Sequence, residues 1–168
     1  TALSSQVAEE LSESVVIARG MAHGLSPVGL ELHGLKDALE DVARFVSRTY
    51  EVSCSVECED VHEYLTVGAQ ELVFRIAQEL AVNAGKHSKP RSINLSVRPE
   101  EGQVILRVIH DGVPFDDTVG GKRAGMGLYL MRQRLRTLFA TMHRQVDDGN
   151  PKISIATVRI PSKKSRVS

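Results

Sequence analysis

Apolar positions along the chain recur with two periods. Val7, Leu11, Val15, Ala18 and Ala22 fall three or four apart, which predicts a helix over residues 5–24. Gly24, Ser26 and Pro27 break it. Leu32, Leu35, Leu39, Val42 and Val46 form the stripe of a second helix, from about His33 to Tyr50. Residues Glu51–Cys58 alternate and predict a strand. A third helix is predicted over Val67–His87, stopped by Ser88-Lys89-Pro90. Ile93, Leu95 and Val97 alternate with Ser92, Asn94 and Ser96, the pattern of a half-buried strand over 92–98. A turn at Glu100–Gln103 leads into Val104–Ile109, whose β-branched residues predict a more deeply buried strand. A long polar, glycine-bearing loop, Asp111 to Ala124, precedes a fourth helix over Gly127–Phe139. A closing hairpin follows: His143–Val146, a turn at 147–151, and Lys152–Ile160. The polar, basic tail 162–168 is expected to fray.

This order predicts an α+β fold, a two-layer α/β sandwich with a mixed sheet and helices on one face. There is no internal repeat. Basic and acidic residues balance at 21 each. Bulk charge therefore gives no case for a nucleic-acid or polyanionic membrane partner, and any phosphate recognition has to come from local placement. No apolar run is long enough to span a bilayer and no signal peptide opens the chain. The chain opens on Thr1, so it is expected to be cut from something longer, and any membrane spans would then lie upstream. Cys54 and Cys58 sit four apart on one predicted strand, where a disulfide is awkward, and read as reduced core thiols without metal-site spacing.

Candidate chemistry begins on the third helix. At about 100° per residue, Leu72, Val73, Ile76, Ala77, Leu80, Ala81 and Ala84 share one face. Glu79, Asn83, Lys86 and His87 form a polar stripe along the edge of that face instead of opposite it. Ordinary edge polars explain such a stripe as readily as a lined cavity does. Read as a cavity wall, it suits a metal-bound polyphosphate: Glu and Asn supply hard oxygen ligands for Mg²⁺, Lys and His meet phosphate oxygens. Next come His110-Asp111-Gly112-Val113-Pro114 at a strand end, then Gly120-Gly121 and Gly125-Met126-Gly127-Leu128 opening a helix. Glycines at a helix start let backbone N–H groups approach phosphate. A lone G-x-G is a weak signal, whereas the three elements in this order are a stronger one.

That order resembles the catalytic domains of sensor histidine kinases, within the gyrase, chaperone, kinase and mismatch-repair ATPase superfamily (the Bergerat fold). Ile76–His87 looks like the family's N box, Asp111-Gly112-Val113-Pro114-Phe115 like its first glycine box, and Gly125–Leu128 with Met131-Arg132-Gln133-Arg134 like its second. Ala22–Val28 resembles the linker of the nitrate-sensor-like subfamily. The resemblance covers about residues 10–160. It implies that residues 1–28 are the end of a dimerisation hairpin and its linker, that 29–161 are the ATP-binding domain, and that 162–168 are tail. It implies Asn83 and Glu79 at Mg²⁺, Lys86 and His87 at the phosphates, and Gly125, Met126, Gly127 and Leu128 in the phosphate loop. Residues 112–124 would be the ATP lid.

The sequence also departs from that pattern. His110 stands where the family carries an Asp that accepts from the adenine amino group. A neutral imidazole can accept through its bare nitrogen; alternatively Asp111 takes the role, although neighbouring strand residues face opposite ways. Pro114 replaces the box's second glycine, and Ala140–Asn150 lacks a glycine-rich turn. No histidine fits the phosphoacceptor position: His62-Glu63 and His110-Asp111 lie elsewhere, and His23, His33 and His143 read as structural or surface residues.

The resemblance implies an ATP- and Mg²⁺-dependent histidine protein kinase domain, acting on a histidine absent from this chain. It implies a homodimer through the dimerisation helices, a response-regulator partner and a cytoplasmic location. A degenerate, non-catalytic module for dimerisation or regulator docking is the alternative that His110 and Pro114 motivate. A serine kinase or hydrolase of the same superfamily is a third, which the linker at 22–28 disfavours.

Overall fold

A computed structural model describes residues 27–114 and 126–166, together with positions 3, 4, 7 and 11. The helix expected over 5–24 therefore lies almost wholly outside the described residues. The elements run α1 (Pro27–Tyr50), β1 (Ser53–Cys58), α2 (Val67–His87), β2 (Ser92–Glu100), β3 (Gln103–His110), α3 (Met126–Leu138), β4 (Thr141–Val146) and β5 (Ser154–Pro161). The strands form one sheet in the order β1-β2-β3-β5-β4. β1 pairs parallel with β2, and the other pairs are antiparallel. This is the mixed sheet of an α+β sandwich, as expected.

One face of the sheet carries the core. Ile93, Leu95 and Val97 of β2, Val104, Leu106 and Val108 of β3, and Ala156, Val158 and Ile160 of β5 are buried in a single cluster. Leu39, Val42 and Val46 of α1, Phe74, Ile76 and Leu80 of α2, and Met131 and Leu135 of α3 fill its other half. Burial of that area is the main stabilising contribution. The outer positions of β2, Ser92, Asn94, Ser96 and Arg98, alternate out of it.

Three local features differ from the sequence reading. The second predicted helix starts at Pro27, and its break falls inside, at Gly34 with φ 84° and ψ 173°, a conformation open to glycine. β1 begins two residues later than expected, at Ser53, because Glu51 turns the chain with φ 55°. The segment from Ser162, expected to fray, is tied down. Ser162 is fully buried, Lys163 N donates to Tyr64 O at 2.8 Å, and Lys163–Arg166 form a short 3₁₀ turn. Residues 167–168 lie outside the described ones. Cys54 and Cys58 are free, half-buried thiols on the inner side of β1.

Candidate functional site

α2 positions the polar stripe. Its start is set by Thr66, whose Oγ1 accepts from Ala69 N at 3.1 Å, an N-cap worth about 1 kcal/mol. Its inner face, Val73, Phe74, Ile76, Ala77, Leu80, Ala81 and Ala84, is buried, which fixes the helix's rotation. Glu79 and Asn83 then fall on the border, half-buried. Asn83 Nδ2 donates to Glu79 Oε1 at 3.2 Å. That bond orients the carboxamide and leaves Asn83 Oδ1 as an acceptor for another partner. Lys86 lies one turn further on, half-buried, and His87 is exposed in the last turn.

α3 begins against this pair. A Cβ on Gly127 would lie 1.9 Å from Glu79 Oε1 and 2.6 Å from Glu79 Cδ. The backbone of the first turn of α3 therefore rests directly on the carboxylate, an approach open only to glycine. Met126 and Leu128 flank Gly127 in that turn. Gly125 and the expected lid beyond Pro114 lie outside the described residues. Arg134, two helical turns along from Gly127, is half-buried. Burial, then the neighbouring Arg75, holds its guanidinium below its ordinary value, while Glu79 works in the opposite direction. Arg134 is thus a cation whose charge is felt at Glu79, and the sequence reading quoted it within the second glycine box without giving it a role of its own. Its seven-residue spacing from Gly127 was the available signal.

The end of β3 brings the third element. His110 is buried on the inner face, and that burial holds its imidazole below the ordinary value, with Asp111 opposing. Gly112 N donates to His110 Nδ1 at 3.2 Å. Neutral His110 therefore carries its proton on Nε2 and presents a donor there. The bare nitrogen expected to accept from a base is already used by Gly112. Asp111 faces the other way: its Oδ1 accepts from Ser92 N at 2.9 Å and Arg91 N at 2.8 Å. Those amide bonds, that from Ser92 foremost, hold its carboxyl below the usual carboxylate range and fasten the start of β2. At Gly112 a Cβ would lie 2.2 Å from Ser88 O, and Val113 N donates to that oxygen at 2.8 Å. The start of the loop is thereby stitched to the end of α2.

A further residue enters from β5. Ser154 pairs with His110 across the sheet and is buried, with no partner for its Oγ among the described residues. His110, Ser154, Ala156, Val146, Pro114 and Arg144 line one cavity on the helix side of the sheet. Sequence reasoning missed Ser154 because a serine opening a strand carries no signal until the register is known.

Glu79, Asn83 and Gly127 thus meet on the border of α2, with Lys86 one turn beyond Asn83 and the His110 cavity at the end of β3. The chain aligns with solved histidine kinase structures over most of its length. It superposes on the histidine kinase domain of the blue-light activated kinase EL346 of Erythrobacter litoralis with a TM-score of 0.66, at 18% identity, covering 79% of this chain and 63% of that one. The chain has the fold of a histidine kinase catalytic domain. The same kinase fold is seen in the nucleotide-free catalytic domain of ThkA, with a TM-score of 0.54, 13% identity, and 73% and 92% of the two chains covered.

In sequence, the chain is similar to sensor histidine kinases. It is 29% identical to the sensor protein VraS of Staphylococcus saprophyticus over 136 residues, 79% of this chain and 38% of that protein. It is 25% identical to the sensor histidine kinase ComP of Bacillus subtilis over 145 residues, 86% of this chain and 19% of that protein. The chain therefore spans well under half the length of these curated relatives. No protein-family model matches the chain. Among the described residues, no helix is long and apolar enough to cross a membrane.

Proposed function

We propose that this chain is the ATP-binding catalytic domain of a two-component sensor histidine kinase, which transfers the γ-phosphoryl group of a bound nucleoside triphosphate to a histidine on a dimerisation helix. The observation that carries this reading is the Glu79–Asn83 pair on the border of α2, with the glycine-opened start of α3 resting on it. The similarity to VraS and ComP supports it. The finer assignment to the nitrate-sensor-like subfamily rests on the segment Ala22–Val28.

The donor set fits Mg²⁺. One carboxylate and one carboxamide oxygen, side by side on a rigid helix, are the few hard ligands with which proteins hold Mg²⁺ when phosphates supply the rest. When bound, the ion would neutralise charge on the phosphate oxygens. The chain's own residues supply the positioning. Asn83 and Glu79 hold the polyphosphate end, Lys86 offers a point charge to a phosphate oxygen, and the first amides of α3 face the same anion. Little more is required, since phosphoryl transfer is accelerated chiefly by alignment and charge stabilisation. The acceptor nitrogen forms a bond to phosphorus as the bond to the bridging oxygen breaks and the nucleoside diphosphate leaves.

A dimer through the dimerisation helices, a response regulator as the next acceptor and a cytoplasmic location belong to the same proposal. The test is calorimetric titration of the chain with a non-hydrolysable triphosphate analogue and Mg²⁺, beside Asn83→Ala. Binding that the substitution abolishes supports the kinase reading. The chain alone should not phosphorylate itself, because no acceptor histidine is recognised in it.

A second reading is a non-catalytic module kept for dimerisation or docking. The bond from Gly112 N to His110 Nδ1 favours it, since it removes the one acceptor His110 offers to an amino group. It predicts no binding of any nucleotide analogue in the same titration.

A further inference from the structure

The crossing of α2 and α3 brings two arginines to the same level. Gly127 of α3 rests on Glu79 of α2, while Thr137 and Leu138 of α3 line one cavity with Ala69 and Leu72 of α2. The helices therefore run past each other in opposite directions, and Arg134 falls between those contacts, beside Arg75. Both residues are half-buried. Arg75 Nη1 donates to Gln78 Oε1 at 3.4 Å, and its guanidinium lies 5.6 Å from the centroid of the Phe74 ring. Amide and ring are uncharged, so they orient the guanidinium without neutralising it. Among the described residues neither arginine makes an ion pair.

The carboxylates of α2 do not fill that role. Glu79, one turn on from Arg75, gives its Oε1 to Asn83 and is packed beneath Gly127. Its pull on Arg134 is smaller than the opposing effects of burial and of Arg75. Glu71, one turn before Arg75, pairs with neither arginine. α3 adds Arg132 and Arg136 and carries no acidic residue, so the balance around the seam is basic. Two neighbouring guanidiniums repel each other, and a carboxylate that accepts from both relieves the repulsion.

The place of this pair follows from the phosphate site. Lys86, Asn83 and Glu79 succeed one another along α2 toward the terminal phosphate, and Arg75 lies one turn past it. An acceptor in line with the bond that breaks approaches from the side away from the nucleoside. The segment presenting that acceptor therefore passes over Arg75 and Arg134.

We propose that the α2–α3 seam at Arg75 and Arg134 is a docking site for a carboxylate of the acceptor-bearing segment, so that this segment is selected by an acidic side chain at the point of contact. The inference rests on the reading of the domain as a phosphoryl-transfer site and names the chemistry of its protein partner.

The test follows the side-chain Nε–Hε signals of Arg75 and Arg134 by NMR in the full chain, with the non-hydrolysable triphosphate analogue and Mg²⁺ present, as helical peptides are added. One peptide carries a histidine among glutamates, and its twin the same histidine among glutamines. Expected is a saturable shift of both signals with the glutamate peptide and none with the twin. Arg75→Gln and Arg134→Gln should each weaken that binding roughly tenfold. Arg132→Gln, exposed on the same helix, should change it by less than about twofold. Equal losses in all three variants would reduce the effect to general charge attraction and overturn the inference. So would an equal response to both peptides, or to neither. Inorganic phosphate that moves the two signals as far as the glutamate peptide does overturns the carboxylate assignment. Calorimetric titration of the same samples with the analogue separates the two readings. A chain that binds the analogue and shows no shift loses the inference alone, and a chain that binds no analogue loses the phosphoryl-transfer reading beneath it.

Discussion

Gly127 and Glu79 touch in a way no other residue at 127 would allow: a Cβ there would stand 1.9 Å from the carboxylate oxygen. The same oxygen accepts from Asn83 Nδ2. Gly127→Ala must therefore push the Glu79 carboxylate aside and break that bond, while helix propensity at the position improves by up to about 1 kcal/mol. Little change in thermal stability is expected, with at least a tenfold loss of triphosphate affinity. Calorimetry paired with a melting curve checks it. Unchanged affinity would mean that the pair is not part of the phosphate site.

Phe139 ends α3 in a left-handed conformation, φ 53°, where helices ordinarily carry glycine. Ala140 N donates to Leu135 O and Phe139 N to Arg136 O, closing the helix end. The residue is 73% exposed. Phe139→Gly should relieve the backbone cost at little loss of packing and stabilise the fold by about 1 kcal/mol. Chemical denaturation measures this. A destabilised variant would show that the ring's own contacts outweigh the backbone cost.

Stability should also follow His110. Its imidazole is held below 6.5 by burial in the folded chain, whereas the unfolded chain titrates near that value. The unfolded state therefore binds more protons between the two values, and stability rises with pH across that window. The contribution is complete above pH 6.5 and is lost as pH falls through the folded value. Melting temperatures of the parent chain between pH 7.5 and about pH 5 should drop more steeply than those of His110→Gln. Parallel slopes in the two proteins would refute this assignment.

The thiols of Cys54 and Cys58 are each pushed up to about 11, chiefly by burial against α1. Thiolate is the reactive form, so both should resist alkylation at neutral pH in the folded protein. Iodoacetamide labelling followed by mass spectrometry should show modification only as denaturant unfolds the chain. Fast labelling of either in buffer would contradict the burial.

Much of this was legible beforehand, and the limits have physical causes. α2 matches its predicted span because its apolar period, its N-cap Thr66 and the stop at Lys89-Pro90 agree. The β2–β3 hairpin was equally plain, since Glu101 and Gly102 take the positive φ values its tight turn demands. The edge placement of Glu79 and Asn83 followed from the helical wheel alone. What the wheel could not give was the partner across the gap. Gly127 on Glu79 and Ser154 opposite His110 are contacts between elements far apart in sequence, fixed by how the helices and strands pack. Asp111 shows a related limit. A carboxylate in a glycine box suggests a ligand, and only the fold shows that its Oδ1 also accepts from the two amides that open β2.

The tie at the carboxyl end bears on all of this from the far side of the molecule. Ser162 Oγ and Lys163 N both reach Tyr64 O, Lys163 Nζ reaches His62 O at 2.8 Å, and Lys164 pairs with Glu63 at 3.1 Å. Those partners sit just ahead of Thr66, where α2 is nucleated. The segment 162–164 and the root of α2 are thus fastened to each other, although about a hundred residues separate them along the backbone. Whatever follows residue 166 in a longer protein is therefore anchored next to the root of the helix that carries Glu79 and Asn83.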